Sequence, residues 1–429
     1  MKNNVKNLIE FIDYSPSCFH VIENAKKQFL EHGFTELKER EYWDLEEGKS
    51  YFVTRNGSSM IAFHLPKKDF QGFHIVASHS DSPTYRIKEQ PEMSVEKHYT
   101  KLNIERYGGM IPETWFDRPL SVAGRIIIEE NGQIKDQLVN IDRDLMIIPN
   151  LAIHMSRSSN ESKQLNPQKD LLPLCGGNLT KDGFEEMIAK ESGVEKEDIL
   201  SYDLFLYNRM RGTTLGINEE FVAAPKLDDL ECAYSSIEGM LNAKLSKDYV
   251  TVCAVFDNEE VGSGTKQGAG STFFPEVLKR ISYLCGKNEE EYYMAVADSF
   301  MLSADNAHAV HPNYQDKTDP TNRPYINEGI VLKYNASQKY TTDANSAALV
   351  KYLCKKEKIS CQVFFNRSDM LGGSTLGNIL TGQVSIKAAD IGLPQLSMHS
   401  TYETAGCKDL GDMITLMRSF YELGKEVQI

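Results

Sequence analysis

Residues 249–257 constrain the fold of this 429-residue chain more than any other segment. They read YVTVCAVFD, a short, continuous apolar run rich in β-branched residues. Such a run is typical of a strand buried in a sheet. Two adjacent glutamates, Glu259 and Glu260, follow it, and the turn-like sequence 261–264 comes next. Open α/β sheets place their ligands at the carboxyl ends of buried strands, so the acidic pair predicts a functional site.

Neighbouring side chains on an extended backbone point in different directions. The pair therefore predicts that one carboxylate holds a metal ion while the other faces the substrate as a base. This is the arrangement of a metal-dependent hydrolase.

Segments with helical and strand-like patterns alternate along most of the chain. Alternation of this kind predicts a mostly parallel sheet with helices on both faces. The predicted helices lie at 8–34, 230–243 and 409–425, and the predicted strands at 51–54, 60–65, 73–78, 295–297, 329–334, 361–365 and 384–388.

The middle of the chain interrupts this alternation with short β-like pieces among polar, loop-like stretches. Two domains are the expectation for a chain of this length. The sequence therefore predicts an α/β catalytic domain made of residues 1–88 and 225–429, with an inserted β-rich domain at 89–224.

Composition narrows the possible partners and the cellular location. The formal charge of −14 disfavours nucleic acid or an anionic membrane surface as a partner. No long uncharged apolar stretch indicates a membrane span, and the first residues lack the apolar core of a signal peptide. The eight cysteines are scattered without a Cys-x-x-Cys pair, unlike a zinc ribbon or a secreted disulfide framework. The sequence predicts a cytoplasmic protein.

Other candidate ligands follow the predicted strands or precede helices. His79 and Asp81 come directly after the strand at 73–78. The pair has two interpretations: a metal-bound histidine with a carboxylate behind it, or a hydrogen-bonded surface pair. Asp228 and its neighbour Asp229 precede a helical run, where capping of the helix is the alternative. His399 follows the strand at 384–388 and a loop.

Asp305 lies in a polar cluster with His308 and His311. Each histidine is open to interpretation as a ligand, a substrate contact or a core residue. Taken together, two histidines and three carboxylates suit a pair of zinc ions, with Asp228 as the best bridging ligand. The five candidate ligands are His79, Asp228, Glu260, Asp305 and His399.

Several long motifs point to one family. They are SPS at 15–17, YFVTRN at 51–56, SHSDSP at 78–83, TWFDRPLS at 114–121, IPNLAIH at 148–154, DNEEVGS at 257–263, residues 303–314, and SMHS at 397–400. With these motifs the chain resembles, nearly end to end, the aspartyl aminopeptidase / aminopeptidase I family of dinuclear zinc peptidases. One small departure is Asp229, where many members have asparagine.

The resemblance implies a three-layer αβα catalytic domain with a mostly parallel central sheet and an inserted dimerisation or assembly domain. It also implies a metallo-aminopeptidase that removes amino-terminal residues by attack of water activated by two metal ions, zinc or alternatively cobalt or manganese. The implied roles are His79 and Asp305 on one zinc, Glu260 and His399 on the other, Asp228 bridging, Glu259 as general base, and Asp81 behind His79.

Specificity and assembly are also implied by the resemblance. The substrates are peptides with a free amino terminus. The better-known members prefer acidic amino-terminal residues, whereas others take neutral ones, and an acidic side chain needs a cationic partner. Lys333 matches a family position suited to this role, with Lys339 as the alternative and a solvated lysine as the ordinary interpretation. His308 is a candidate to assist the oxyanion, and His154 resembles a histidine that reaches a neighbouring subunit. Similar members form a homododecamer built from dimers.

Two rival hypotheses remain at the level of sequence. A related dinuclear-zinc deacylase or carboxypeptidase uses the same chemistry on a different amide. A non-catalytic shell or cargo protein keeps the fold without turnover. The complete ligand set and Glu259 argue against the second.

Overall fold

The computed structural model describes residues 2–156, 164–178 and 182–427. Within these ranges the chain forms ten α-helices and twenty strands, besides short 3₁₀ helices. The helices are α1 (Lys2–Asp13), α2 (Cys18–Glu31), α3 (Pro167–Asp170), α4 (Gly183–Ser192), α5 (Leu227–Leu241), α6 (Phe273–Leu284), α7 (Glu289–Ala297), α8 (Ala344–Glu357), α9 (Leu376–Gln383) and α10 (Cys407–Tyr421).

The strands make three sheets. They are β1 (Thr35–Leu37), β2 (Lys49–Arg55), β3 (Ser59–Leu65), β4 (Phe73–His79), β5 (Thr84–Val95), β6 (Tyr99–Tyr107), β7 (Leu120–Glu130), β8 (Gln133–Asn140), β9 (Leu174–Gly177), β10 (Ile199–Asn208), β11 (Thr213–Leu215), β12 (Phe221–Ala224), β13 (Val250–Phe256), β14 (Phe300–Ala304), β15 (Ala307–His308), β16 (Ile330–Lys333), β17 (Cys361–Phe364), β18 (Lys387–Gly392), β19 (Pro394–Leu396) and β20 (Glu403–Gly406).

A nine-stranded sheet in the order β1-β2-β3-β13-β4-β14-β18-β16-β17 forms the centre of the protein. Its middle strands β13, β4, β14 and β18 are parallel to their neighbours in that series. The antiparallel pairs β2–β3, β3–β13 and β16–β18 lie on either side of them. The mixed α/β fold with a largely parallel sheet is therefore confirmed.

Helices cover both faces of this sheet. Alternate side chains of β4 point to opposite faces, so Val76 packs in one core while Ile75 and Ala77 pack in the other. Helices α1, α2, α5, α8 and α10 contribute to the first core. Helices α6, α7 and α9 contribute to the second. Burial on both sides explains why the central strands read as continuous apolar runs.

A six-stranded sheet, β8-β7-β10-β5-β6-β9, has a separate apolar core. A five-stranded sheet, β11-β12-β20-β19-β15, joins segments that are distant in sequence. Strand β5 begins at Thr84, and β12 pairs with β20. The exact domain limits at 88/89 and 224/225 stay a prediction.

Three local predictions were wrong. The helix predicted at 8–34 is two helices, α1 and α2, because Pro16 lies between them and a helix interior does not accommodate proline. The strand predicted at 295–297 is the last turn of α7, whose start is fixed by a capping box at Asn288. Glu259 and Glu260 lie on a 3₁₀ turn, Glu259–Val261, and not on extended backbone.

Candidate metal centre

The central strands bring the predicted ligands to one edge of the sheet. In the register of the parallel pair β4–β13, His79 lies opposite Phe256, so the turn that carries Glu259 and Glu260 begins beside His79. Strand β14 is the other parallel neighbour of β4 and ends one residue before Asp305. Parallel strands end at the same edge, and that edge is the expected position of a site.

Asp228 stands between two histidines. Its Oδ1 is 3.5 Å from Nε2 of His79, and its Oδ2 is 3.2 Å from Nε2 of His399. His399 Nε2 is also 3.4 Å from Oε1 of Glu260. Asp228 therefore presents one oxygen to each histidine, as a bridging carboxylate does.

Two groups of potential ligand atoms share Asp228, each with its atoms within 4.8 Å of one another. One contains His79, Asp228, Asp229 and Asp305, and the other contains Asp228, Glu260 and His399. Glu259 lies in a third group with His79 and Glu260. All five sequence-predicted ligands and Glu259 therefore converge.

The donor set and its charge fit a metal cation. Asp228 Oδ1 and Glu260 Oε1 are buried oxygens without a hydrogen-bond partner among the described residues. Burial, followed by repulsion from Asp228, raises the pKa of Glu260 well above its ordinary value. Burial likewise raises the pKa of Asp305, although Lys333 opposes it. Buried carboxylates that repel one another and lack donors are stabilised by a cation.

His79 is oriented by Asp81. Its Nδ1 is 3.1 Å from the Asp81 carbonyl oxygen and 3.4 Å from Asp81 Oδ1, which leaves Nε2 directed toward Asp228. Burial disfavours protonation of His79, but the carboxylates of Asp229 and Asp228 outweigh burial and raise its pKa. This is how an outer carboxylate orients a metal-binding histidine.

Asp81 also holds the turn that carries the two glutamates. Its Oδ1 accepts a hydrogen bond from the backbone N–H of Glu259, and its Oδ2 accepts one from Glu260, both at 3.1 Å. Burial raises the pKa of the half-buried Glu259 to about 8; His79 opposes the rise, and repulsion from Asp305 adds to it. A carboxylate whose proton affinity has been raised in this way is suited to act as a base.

Sequence reasoning named Asp229 beside Asp228 but left it out of the set of five ligands, and it did not identify Glu403. Asp229 Oδ2 accepts a hydrogen bond from the His79 backbone N–H at 3.0 Å instead of capping its own helix. Glu403 accepts one from the Asp228 N–H at 3.0 Å and one from the His399 N–H at 2.7 Å. Its position four residues after His399 was the available signal. Burial, followed by repulsion from Asp228, raises the pKa of Glu403.

The predicted substrate-binding residues occupy different surroundings. Lys333 is buried, and its Nζ donates to the carbonyl oxygens of Asp305 at 2.7 Å and Asn306 at 3.3 Å. Lys339 is exposed. His308 has its ring 6.0 Å from that of Phe364, and desolvation, with repulsion from Lys333, lowers its pKa.

His154 lies apart from the cluster on an exposed 3₁₀ turn, Ile153–Met155. The structure thus does not bring His154 to the metal ligands of its own chain.

A buried set of imidazoles and carboxylates at the carboxyl edge of an α/β sheet defines the class of metal-dependent hydrolases. Residues 11–421 match the family described as Aminopeptidase I zinc metalloprotease (M18). A relative in Clostridium novyi (strain NT), named "Probable M18 family aminopeptidase 2", is 46% identical over 437 residues, which cover 99% of this chain and 100% of the relative.

Solved structures agree. The structure described as the Ape4 and Nbr1 complex matches with a TM-score of 0.95 and 36% identity, over 98% of this chain and 85% of that one. The S. cerevisiae mApe1 dodecamer matches with a TM-score of 0.85 and 26% identity, over 98% and 97%. The chain belongs to the M18 family of aminopeptidase I zinc metalloproteases. The predicted family and enzyme class, zinc-dependent aminopeptidase, are confirmed. No helix in the described ranges is long and apolar enough to cross a membrane.

Proposed function

We propose that this protein uses two divalent metal ions to remove amino-terminal residues, preferentially Asp and Glu, from peptides with a free amino terminus. The observation that carries the proposal is Asp228, whose two oxygens face His79 and His399 and which belongs to both ligand groups. A carboxylate shared by two groups of ligands suits two ions better than one.

His79 and Asp305 would hold one ion, Glu260 and His399 the other, and Asp228 both. Zinc is the metal in the description of the family. Cobalt and manganese are the alternatives that the experiment below also tests. Bound zinc supplies Lewis-acid polarisation of the scissile carbonyl and of water, and its charge favours ionised carboxylates around it.

Glu259 is the proposed general base. Its carboxylate lies within the cluster, yet the two groups that share Asp228 do not need it. It accepts a proton from the attacking water and delivers it to the leaving amine. Asp81 holds the turn that carries Glu259 by accepting the Glu259 backbone N–H. His308 is the proposed donor to the developing oxyanion.

Lys333 supports the acidic preference. Two backbone carbonyls use two of the three N–H donors of its ammonium group, which leaves a third for a substrate carboxylate. Its place beside the Asp305 loop favours it over the exposed Lys339. A buried cation next to the metal ligands is the chemistry that an acidic side chain requires.

We also propose assembly into a homododecamer built from dimers, in which His154 reaches the active site of a neighbouring subunit. The support is the dodecameric mApe1 structure and the exposed apolar side chains that flank His154 in this chain. Leu151, Ile153 and Met155 are 53%, 46% and 76% exposed. Exposed apolar side chains clustered on one segment are typical of an interaction surface.

Hydrolysis of aminoacyl anilides bearing Asp, Glu, Leu or Lys, with an amino-blocked Asp anilide as control, tests the proposal. Among the free-amine substrates, we expect the Asp and Glu anilides to be cleaved fastest, the Leu anilide more slowly and the Lys anilide most slowly. Added zinc, manganese or cobalt supports the reaction, and a chelator abolishes it.

Cleavage of the blocked substrate would instead indicate a deacylase. Faster cleavage of the Leu anilide than of the Asp anilide would refute the acidic preference and the proposed role of Lys333. No cleavage by folded, assembled protein with any of the metals would refute the enzymatic proposal in favour of a shell or cargo protein.

A further inference from the structure

Tyr107 links the six-stranded sheet to the metal centre. It is the last residue of β6, and its hydroxyl donates to Asp81 Oδ2 at 2.7 Å. The same hydroxyl accepts a hydrogen bond from the side-chain amide of Asn258 at 2.8 Å. The Tyr107 hydroxyl therefore contacts Asp81, which follows β4, and Asn258, which follows β13 and directly precedes the turn that carries Glu259 and Glu260.

The hydrogen bond between Tyr107 and Asp81 affects the proposed base, Glu259, and the proposed ligand, Glu260. Asp81 accepts the backbone N–H groups of Glu259 and Glu260, so the orientation of its carboxylate sets the position of both residues. The next residue of the connection, Gly108, packs directly over Glu260: a Cβ there would lie 3.1 Å from Glu260 Cβ. The end of β6 and the glutamate turn thus pack against each other.

We propose that Tyr107 is a positioning residue for this reaction. Its hydroxyl fixes the Asp81 carboxylate, and through it the placement of the Glu259 carboxylate. The inference rests on the proposed function of Glu259 and extends it, because it gives the inserted sheet a part in orienting the base of its own chain.

The hydroxyl, not the ring, carries this role. Without it, Asp81 Oδ2 keeps only the Glu260 N–H, and the Asn258 amide keeps oxygens such as Asp257 Oδ1 at 3.3 Å. The Asp81 carboxylate then rotates more freely, and the glutamate turn follows it. Displacement of a reacting group by about 1 Å lowers the rate by about 100-fold. Loss of an outer partner at a metal site typically costs about 10–100-fold in activity or metal affinity.

Tyr107→Phe tests the inference, with Tyr85→Phe as the matched control. Tyr85 lies on β5 of the same sheet and is buried with its ring edge-on to Trp115 at 5.0 Å. Its hydroxyl has no hydrogen-bond partner among the described residues. Both changes remove one tyrosine hydroxyl from the same sheet, but only that of Tyr107 contacts Asp81.

At saturating zinc, we expect Tyr107→Phe to lower kcat by about 10–100-fold. KM, zinc content and melting temperature stay near those of wild type, and Tyr85→Phe keeps full activity. In an Asp81→Asn background, Tyr107→Phe has less than about a twofold further effect, because partners in one network are not additive.

Several outcomes would overturn the inference. They are wild-type kcat in Tyr107→Phe, an equal loss in Tyr85→Phe, a loss that follows zinc content or melting temperature, or a full further loss in the Asp81→Asn background. A wild-type enzyme that cleaves no substrate would refute the proposed function itself, so the two failures are distinguishable.

Discussion

At the scale of single residues, the pKa of Asp228 differs in direction from those of the carboxyl groups around it. Burial opposes ionisation of this carboxyl, but contacts with His399 and His79 outweigh burial and hold its pKa below the ordinary value. The surrounding Glu260 and Asp305 have no such pair of contacts, and their pKa values are raised. The carboxyl whose pKa is lowered is thus the one that both ligand groups share.

Glu259 and Glu260 are adjacent but have different proposed roles, as base and as metal ligand, and single substitutions distinguish these roles. We expect Glu259→Gln to lower kcat by about two to four orders of magnitude while zinc content stays near wild type. Glu260→Gln removes a partner of His399 and lowers the zinc content toward one ion per chain. Anilide hydrolysis and elemental analysis of dialysed protein measure the two effects.

Both variants keep the size of the side chain, so each serves as the packing control for the other. The roles would be exchanged if Glu259→Gln lost zinc and Glu260→Gln kept it. Equal zinc loss in both would contradict a base that is separate from the ligands.

At the scale of elements, the Asp305 loop depends on a glycine in the neighbouring strand. A Cβ on Gly392, at the end of β18, would lie 2.1 Å from the Asp305 carbonyl oxygen, the same oxygen that accepts the Lys333 ammonium. We expect Gly392→Ala to displace this loop, destabilise the protein by about 1–3 kcal/mol and reduce zinc occupancy. Thermal melting and metal analysis measure both.

Gly382→Ala is the matched control, because a Cβ at this position in α9 meets nothing within 4 Å. It should leave the zinc content unchanged and stabilise the protein by up to about 1 kcal/mol. Wild-type stability and zinc content in Gly392→Ala would show that the loop accommodates the side chain without moving.

The sequence predicted the parts of the fold that depend on local pattern. Continuous apolar runs gave β4 and β13, and the ends of such runs indicated His79 and Glu260. The strand predicted at 295–297 was wrong because a short apolar run fits a helix end equally well. Glu403 and Tyr107 were not predicted. Glu403 accepts a hydrogen bond from Asp228, 175 positions away, and Tyr107 bonds to Asp81 and Asn258, 26 and 151 positions away, and periodicity carries no such information.

At the scale of the whole molecule, the site joins segments from His79 to His399, and the six-stranded sheet contacts it as well. Ile111 donates its backbone N–H to the His399 carbonyl oxygen, and Thr401 bonds Thr114 through both backbone and side chain. These hydrogen bonds connect the segment between β6 and β7 to the loop that carries His399. We therefore expect metal binding to depend on the stability of the whole fold.

His74 makes that stability depend on pH. It lies in the core of β4, stacked on Tyr249 with ring centroids 4.0 Å apart, and its Nδ1 has no partner among the described residues. Burial lowers its pKa from 6.5 to about 3. Below pH 6.5 the unfolded chain binds a proton at His74 that the folded chain does not. The contribution of neutral, buried His74 to the free energy of unfolding is therefore fully present above pH 6.5 and is lost as the pH falls toward 3.

Replacing His74 with Phe keeps the stacked ring and removes this titration. Between pH 6 and 4 we expect the free energy of unfolding of His74→Phe to fall less steeply than that of wild type, by about 1.4 kcal/mol per pH unit. Urea unfolding of chelator-treated protein at several pH values measures the slopes, and His98→Gln, at an exposed turn, is the control. Parallel slopes for wild type and His74→Phe would mean that the folded protein accepts a proton at His74. In that case burial of this ring would not contribute to acid sensitivity, and Asp228, whose pKa is held below its ordinary value in the folded chain, is the carboxyl of the metal centre with the right sign to account for it.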